Sequence, residues 1–90
     1  MNIIWDPKKA SSNLKKHKIR FSDAESVLYD PLALTIEDED AEGEQRFVSV
    51  GVDCFGRILV VVYTYKDEQI RLISARKAEK SEIRSYEKRL

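Results

Sequence analysis

The chain has 90 residues, is 42% hydrophobic and 36% charged, and carries 16 Lys+Arg against 16 Asp+Glu. That length supports one domain, residues 1–90, with one modest core, and no apolar run approaches the length of a membrane span. The zero net charge hides an uneven distribution: residues 37–44 hold six acids (Glu37, Asp38, Glu39, Asp40, Glu42 and Glu44), leaving 16 basic against 10 acidic side chains elsewhere. The body is therefore basic with one acidic loop, a balance that suits an anionic partner. A lone cysteine, Cys54, excludes a disulfide within the chain and favours a reducing compartment. With Met1–Trp5 too short for a signal peptide, the expected location is cytoplasmic.

Asn2–Trp5 reads as a short strand. Asp6-Pro7 is a strong helix start, an N-cap carboxylate followed by proline at the first helical position. That helix should run to about His17 with Ala10, Asn13, Leu14 and His17 on its inward row, and Lys15, Lys16, His17, Lys18 and Arg20 crowd its C-terminal end, where the dipole favours cations. Ser22-Asp23-Ala24-Glu25 reads as a capping box opening a second short helix, stopped by Asp30-Pro31. Leu32–Ile36 is a strand, followed by the acidic loop. A three-strand meander comes next: Gln45–Asp53, Arg57–Lys66 and Gln69–Arg76. Cys54-Phe55-Gly56 forms the first hairpin loop, with Gly in the left-handed position, and Lys66-Asp67-Glu68-Gln69 forms the second. The middle strand is apolar on both faces and should be central. The turns predict Val52 opposite Ile58, Val50 opposite Val60, Tyr65 opposite Ile70 and Tyr63 opposite Leu72. On that register the valine face (Val48, Val50, Val52, Ile58, Val60, Val62, Ile73, Ala75) is the core. The other face (Phe47, Ser49, Gly51, Leu59, Val61, Tyr63, Tyr65, Leu72, Ser74, Arg76) mixes aromatics, small polar residues and a cation, and a one-residue slip at the first hairpin would reverse the faces of the first meander strand. Ala78–Leu90 is a charged helix with a thin stripe of Ile83, Tyr86 and Leu90.

The segment Ile70-Arg71-Leu72-Ile73-Ser74-Ala75-Arg76 places cations on half-buried positions, which costs free energy unless they are paired or used. Arg76 suits a phosphate or a carboxylate of the acidic loop. Arg46 and Arg71 fall side by side and require an anion between them, either Glu44 or a phosphate. His17 suits proton transfer, since an imidazole can both take and give a proton, or else caps its helix; Asn13 suits a bond to a neighbouring loop. Tyr63 and Tyr65 suit base stacking or a core role. The acidic loop fails as a calcium loop, because Ser49 falls where a bidentate glutamate belongs. A solvated loop or a dock for a basic partner fits better. One Cys and one His leave no zinc spacing, and no phosphate-cradling glycine loop exists. No metal and no cofactor are expected.

Taken in order, Trp5-Asp6-Pro7-Lys8-Lys9-Ala10, Asn13, Lys16-His17, Phe21, Asp30-Pro31, Glu44 with Arg46, Gly51, Gly56-Arg57, Val61-Val62-Tyr63-Thr64, Ile70-Arg71, Ile73-Ser74-Ala75-Arg76, Ala78, Glu82 and Tyr86-Glu87 resemble the BrnT family of type II toxins. One departure is Lys18, where the family usually has glycine. The resemblance implies an α+β, RelE-like fold: a small curved antiparallel sheet, a meander, with two N-terminal helices and a C-terminal helix. It implies a metal-independent ribonuclease that cleaves RNA and blocks translation, held inactive by a BrnA-type antitoxin with a ribbon-helix-helix domain, and reaching operator DNA only through that antitoxin. The expected roles are Arg76 and Arg46 on the phosphate, His17 in proton transfer and Tyr63 in stacking or as the acid. Lys16, Arg57, Arg71 and Lys77 would hold the RNA backbone. This chemistry needs the guanidinium groups to converge on one solvent-open hollow. The alternatives are a non-catalytic antitoxin-binding module and a nucleic-acid-binding module without cleavage.

Overall fold

The structure is a computed structural model that describes residues 2–38 and 43–90. The first strand, β1 (Asn2–Ile4), leads into α1 (Pro7–His17). The Asp6 side chain accepts the Lys8 N–H at 2.9 Å, so the cap and the proline fix the start as the sequence anticipates. Lys18 closes the helix in the left-handed region (φ 62°), its N–H reaching the Leu14 carbonyl at 3.0 Å. The turn thus keeps the conformation glycine would adopt most easily.

The second helix, α2 (Phe21–Ala24), starts one residue before the expected capping box and continues as a 3₁₀ turn over Glu25–Tyr29. Its N-cap is Arg20, with no side-chain cap bond. Burial of Ile19 and Phe21 sets this start, and packing outweighs the cap signal in an element of one turn. The remaining strands are β2 (Leu34–Asp38), β3 (Arg46–Val52), β4 (Ile58–Lys66) and β5 (Gln69–Lys77), and α3 (Lys80–Glu87) follows. Glu39, Asp40 and Glu42 lie outside the described residues, and with them the calcium-loop comparison and the docking role expected of the acidic loop.

The strands form one open sheet in the order β1-β5-β4-β3-β2. The meander register is as expected, with Val52 opposite Ile58, Val50 opposite Val60, Tyr65 opposite Ile70 and Tyr63 opposite Leu72. The sheet is mixed rather than wholly antiparallel, because β1 pairs with β5 in parallel. The chain returns through the helices before β5 forms, so β1 meets that edge running in the same direction.

The faces are exchanged relative to the sequence reading. The core lies on the side of Leu59, Val61, Tyr63, Ile70, Leu72 and Ala75, against Ile19, Phe21, Ala24 and Val27 from the helical layer. β4 is apolar on both faces, so alternation alone could not choose between them. A β-bulge decides β5. Val62 pairs with Ser74 while Tyr63 pairs with Leu72, which leaves Ile73 as an extra residue. That insertion reverses the parity beyond it: Ala75 turns into the core, and Ser74 and Arg76 turn to the valine face. Small residues admit the helical layer. A Cβ on Gly51 would lie 3.0 Å from Asp30 Oδ2 and 3.1 Å from both Ala33 Cβ and Val27 Cγ1.

α3 is held over the valine face by two polar anchors. Tyr86 donates to Asp30 Oδ2 at 2.5 Å, and Arg76 forks onto Glu82 at 2.9 and 3.0 Å. A capping box, Glu79 with Glu82, opens this helix. Burial raises the Asp30 pKa, but hydrogen bonds from Tyr86, Val52 N–H and Leu32 N–H outweigh it and hold the carboxyl below its usual range. The same bond, with burial and the neighbouring charge, pushes the Tyr86 hydroxyl up to about 12.

Candidate functional site

Asn13 fixes the architecture of the site. It is buried in the middle of α1, donates to the carbonyls of Ile19 and Ala75 at 3.0 and 2.9 Å, and accepts the Ala75 N–H at 3.0 Å. Its amide therefore pairs with the β5 backbone as a neighbouring strand would, and locks α1 along the stretch of β5 that β1 does not reach. Beside this lock, α1 and the bulge enclose an open groove of about 350 Å³, lined by Lys8, Lys9, Ser12, Asn13, Lys16, His17, Ile73 and Ser74. It has four basic side chains and no carboxylate in its lining. Among the described residues none of those four makes an ion pair. Lys16 and His17 were expected here. Lys8 and Lys9 were not singled out, although their positions one turn or more before Lys16 on a helix place them on a neighbouring face.

The arginines are arranged differently. Arg46, Thr64 and Arg71 form one row across β3, β4 and β5, and Arg76 lies further along β5 on the same open face. Each contacts a carboxylate. Glu44 sits between Arg46 and Arg71, with Oε2 accepting from Arg71 Nη2 at 2.9 Å and Oε1 3.6 Å from Arg46 Nε. The anion the sequence required there is thus the carboxylate in this structure. Arg76 and Glu82 form a bidentate pair in which each holds the other charged. The Glu82 bond, outweighing burial, raises the Arg76 pKa. The Arg76 bond likewise lowers that of Glu82. Arg57 lies apart from this face in the β3–β4 hairpin. Its Nε donates to Asp53 Oδ2 at 2.8 Å, its Nη2 approaches Asp23 at 3.6 Å, and its guanidinium lies 5.2 Å from the centre of the Phe55 ring. Buried Asp53 also accepts the N–H groups of Phe55 and Arg57, so this arginine ties the turn to α2. The guanidinium groups do not converge on one hollow free of carboxylates.

Tyr63 is 5% exposed in the core. Its hydroxyl hydrogen-bonds Ser49 Oγ at 3.1 Å, and its ring stacks on Phe47. A base cannot reach that face, so neither expected role is open to it in this arrangement. Tyr65, on the same side, is 58% exposed. Lys77 is the exposed last residue of β5, opposite Leu59. Among the described residues no group of three His, Cys, Asp or Glu side chains could hold a metal ion, and no helix is long and apolar enough to cross a membrane.

The site is therefore a cationic groove on a helix beside an arginine-bearing sheet face, an arrangement suited to a polyanion. Comparison with known proteins names the class. A family model for ribonuclease toxins of type II toxin–antitoxin systems matches residues 5–82. The chain belongs to that family, the BrnT toxins. The crystal structure of the Brucella abortus ribonuclease toxin BrnT matches with a TM-score of 0.68 at 28% identity, over 89% of this chain and 99% of that one. No curated protein sequence matches. Membership of a type II system implies an antitoxin as partner.

Proposed function

We propose that this chain is a metal-independent endoribonuclease of the cytoplasm that cleaves RNA, arrests translation and is neutralised by a BrnA-type antitoxin carrying a ribbon-helix-helix domain, through which alone it reaches operator DNA. Its fold is RelE-like on this reading, and residues 1–90 act as a single toxin domain. The observation that carries the proposal is the α1–β5 groove, where Lys8, Lys9, Lys16 and His17 stand without carboxylates among its lining residues. A nucleic-acid backbone is the ligand such a surface favours.

Cleaving RNA without a metal needs proton removal from the ribose 2′-OH, stabilisation of charge on the phosphate, and protonation of the leaving 5′-oxygen. His17 carries a proton transfer. Lys8, Lys9 and Lys16 track the backbone. Arg46 and Arg71 serve the phosphate. A guanidinium has five N–H donors, and among the described residues Glu44 accepts one hydrogen bond, from Arg71. Arg76 is the most committed of the three, with two donors on Glu82 and a further contact to the Lys77 carbonyl. It reaches the phosphate only if α3 yields. Arg57 and Lys77 have no part in this version of the site.

The test is incubation of the purified protein with labelled RNA in EDTA. Cleavage is expected, and growth arrest with RNA loss should follow expression without a partner. Salt-sensitive binding to RNA that stays intact would instead identify a nucleic-acid-binding module. Absence of both would leave an antitoxin-binding module.

A further inference from the structure

Resting on the reading above in which a protein antitoxin neutralises this chain, we propose that the antitoxin docks on the uncovered apolar strip of the valine face, as a short amphipathic helix whose acidic edge lies on Arg46 and Arg71. The face is ordered in rows across the strands. Leu34, Val50, Val60 and Arg76 form one row, Ile36, Val48, Val62 and Ser74 the next, and Asp38, Arg46, Thr64 and Arg71 the third. The first row meets α3 through the Arg76–Glu82 pair, and its Val60 is 2% exposed. The middle row has no such cover: Val48 and Val62 are half-buried and Ile36 is 66% exposed. Leu34, Ile36, Val48 and Val50 floor an open groove of about 360 Å³, walled by Ser81, Glu82 and Ser85 of α3. A contiguous apolar surface left open beside polar walls marks an interaction site.

The chemistry of the surroundings selects the occupant. The floor is aliphatic, with no aromatic ring among its described lining residues for a base to stack on, so it suits apolar side chains rather than RNA. The α3 wall is small and its polar groups are already engaged. Ser85 Oγ donates to the Ser81 carbonyl at 3.1 Å, and Glu82 is held by Arg76. The opposite side is the arginine row, where Arg46 Nε and Arg71 Nε are buried with no hydrogen-bond partner among the described residues. Buried donors left unspent cost free energy, and carboxylates of a partner would satisfy them. The fitting ligand is therefore aliphatic on one face and acidic along one edge.

The strip crosses the strands instead of following one. Four strands at the usual spacing give it a length of about 14 Å, which a helix covers in about nine residues. Aliphatic anchors at helical spacing would fill the groove from Ile36 towards Val62, as in other helix-in-groove complexes. The acidic edge would take the guanidinium donors assigned above to the phosphate, so docking and RNA compete for Arg46 and Arg71.

Ile36→Lys puts a cation on the strip without touching the α1 groove or the arginine row. The probe is the antitoxin encoded with this chain, purified and titrated against wild type and variant. The expected result is an antitoxin affinity lower by roughly 10- to 100-fold, with RNA binding unchanged. Tyr65→Lys, at a residue 58% exposed on the opposite face, should keep the wild-type antitoxin affinity. An Ile36→Lys affinity within a few-fold of wild type would overturn the inference. So would loss of RNA binding with antitoxin binding intact, which would make the strip an RNA subsite. A free chain that is dimeric, and that Ile36→Lys turns monomeric, would overturn it in favour of a second copy of this chain. If Ile36→Lys fails to fold, methyl NMR of the wild-type protein decides: antitoxin should shift the methyls of Ile36, Val48 and Val62, and shifts that spare all three sink the assignment. An antitoxin that does not bind the wild-type chain removes the neutralisation reading along with this one, whereas binding that ignores the strip removes this one alone.

Discussion

The arginines of the sheet and the lysines of α1 are both cationic and both reach solvent, yet the fold uses them in opposite ways. Arg76 is forked onto Glu82, and Arg46 and Arg71 share Glu44. Lys8, Lys9, Lys16 and His17 meet no carboxylate in their groove. The sheet arginines hold parts of the molecule together while keeping some donors in reserve, whereas the helix cations leave their charge open to a ligand. Counting cations in the sequence locates both groups equally well; pairing in the fold separates them.

The sharpest way to break this comparison is to remove the lock both regions share. Asn13→Ala deletes hydrogen bonds to Ile19 and Ala75 and leaves buried backbone groups unsatisfied. A loss of about 3 kcal/mol is expected, read by urea denaturation, together with loss of the groove. A stability near wild type would mean that α1 is held by other contacts. Next in size, replacing Lys8, Lys9 and Lys16 together by alanine should weaken RNA binding by roughly 10- to 100-fold and flatten the salt dependence by about 2 in log–log slope. Stability should barely move, because among the described residues none of the three makes an ion pair. Arg76→Ala should do the reverse, costing stability and little RNA affinity. The cost stays below about 1 kcal/mol because the Arg76 side chain is more than a third exposed. If the arginine change instead abolished binding and the lysine changes did not, the sheet arginines rather than the helix lysines would be the RNA contacts.

Much of the frame was legible because its signals are local. Asp6-Pro7 marks a helix start from two adjacent residues, and Gly56, at φ 80°, sets the hairpin register from one. β4 is central because its valines are apolar on both sides. What escaped was non-local. The insertion of Ile73 into β5 leaves no trace in the alternation of that strand, and it alone carries Ser74 and Arg76 onto the face of Arg71. The Ser22-x-x-Glu25 pattern signals a cap, but the buried Phe21 pulls the helix start forward. The box that does form, Glu79 with Glu82, has glutamate at the N-cap, which is uncommon there. Lys8 and Lys9 carried a signal, two cations on the helix of His17, but only the position of β5 turns that helix face into a groove wall.

The attachment of α3 sharpens the comparison through pH. Asp30 is held below its ordinary value in the fold, so its contribution is complete above the unfolded value near 3.8 and fades as pH falls through the folded one. Tyr86 is raised from 10.0 to about 12, so its contribution is complete below pH 10 and is lost as pH rises towards 12. Tyr86→Phe should cost about 1.5–3 kcal/mol at neutral pH, the range for a hydrogen bond to a charged group. It should also abolish the alkaline loss of stability between those two values. Thermal unfolding as a function of pH reads both effects. An unchanged alkaline limb in the variant would mean that another group anchors α3. RNA binding through the lysines should be indifferent to this substitution at neutral pH, since neither Tyr86 nor Asp30 lines the groove.

The smallest effect concerns the residue directly after His17. Lys18 occupies the left-handed region at φ 62°, where a side chain with a Cβ is disfavoured by roughly 1–2 kcal/mol. Glycine removes that penalty but adds entropy to the unfolded chain. The net expectation for Lys18→Gly is therefore a gain of about 0.5–1 kcal/mol, or a Tm higher by roughly 2–8 °C for a domain of this size. The cap bond from residue 18 N–H to Leu14 is a backbone bond and survives the change. Lys18 is outside the lining of the groove, so RNA affinity should fall by less than for Lys16→Ala, which removes a charge from inside it. A stabilised variant that bound RNA as weakly as Lys16→Ala would show that the cationic surface runs on past the helix end. It would then count Lys18, placed where the family usually has glycine, among the RNA contacts of this particular chain.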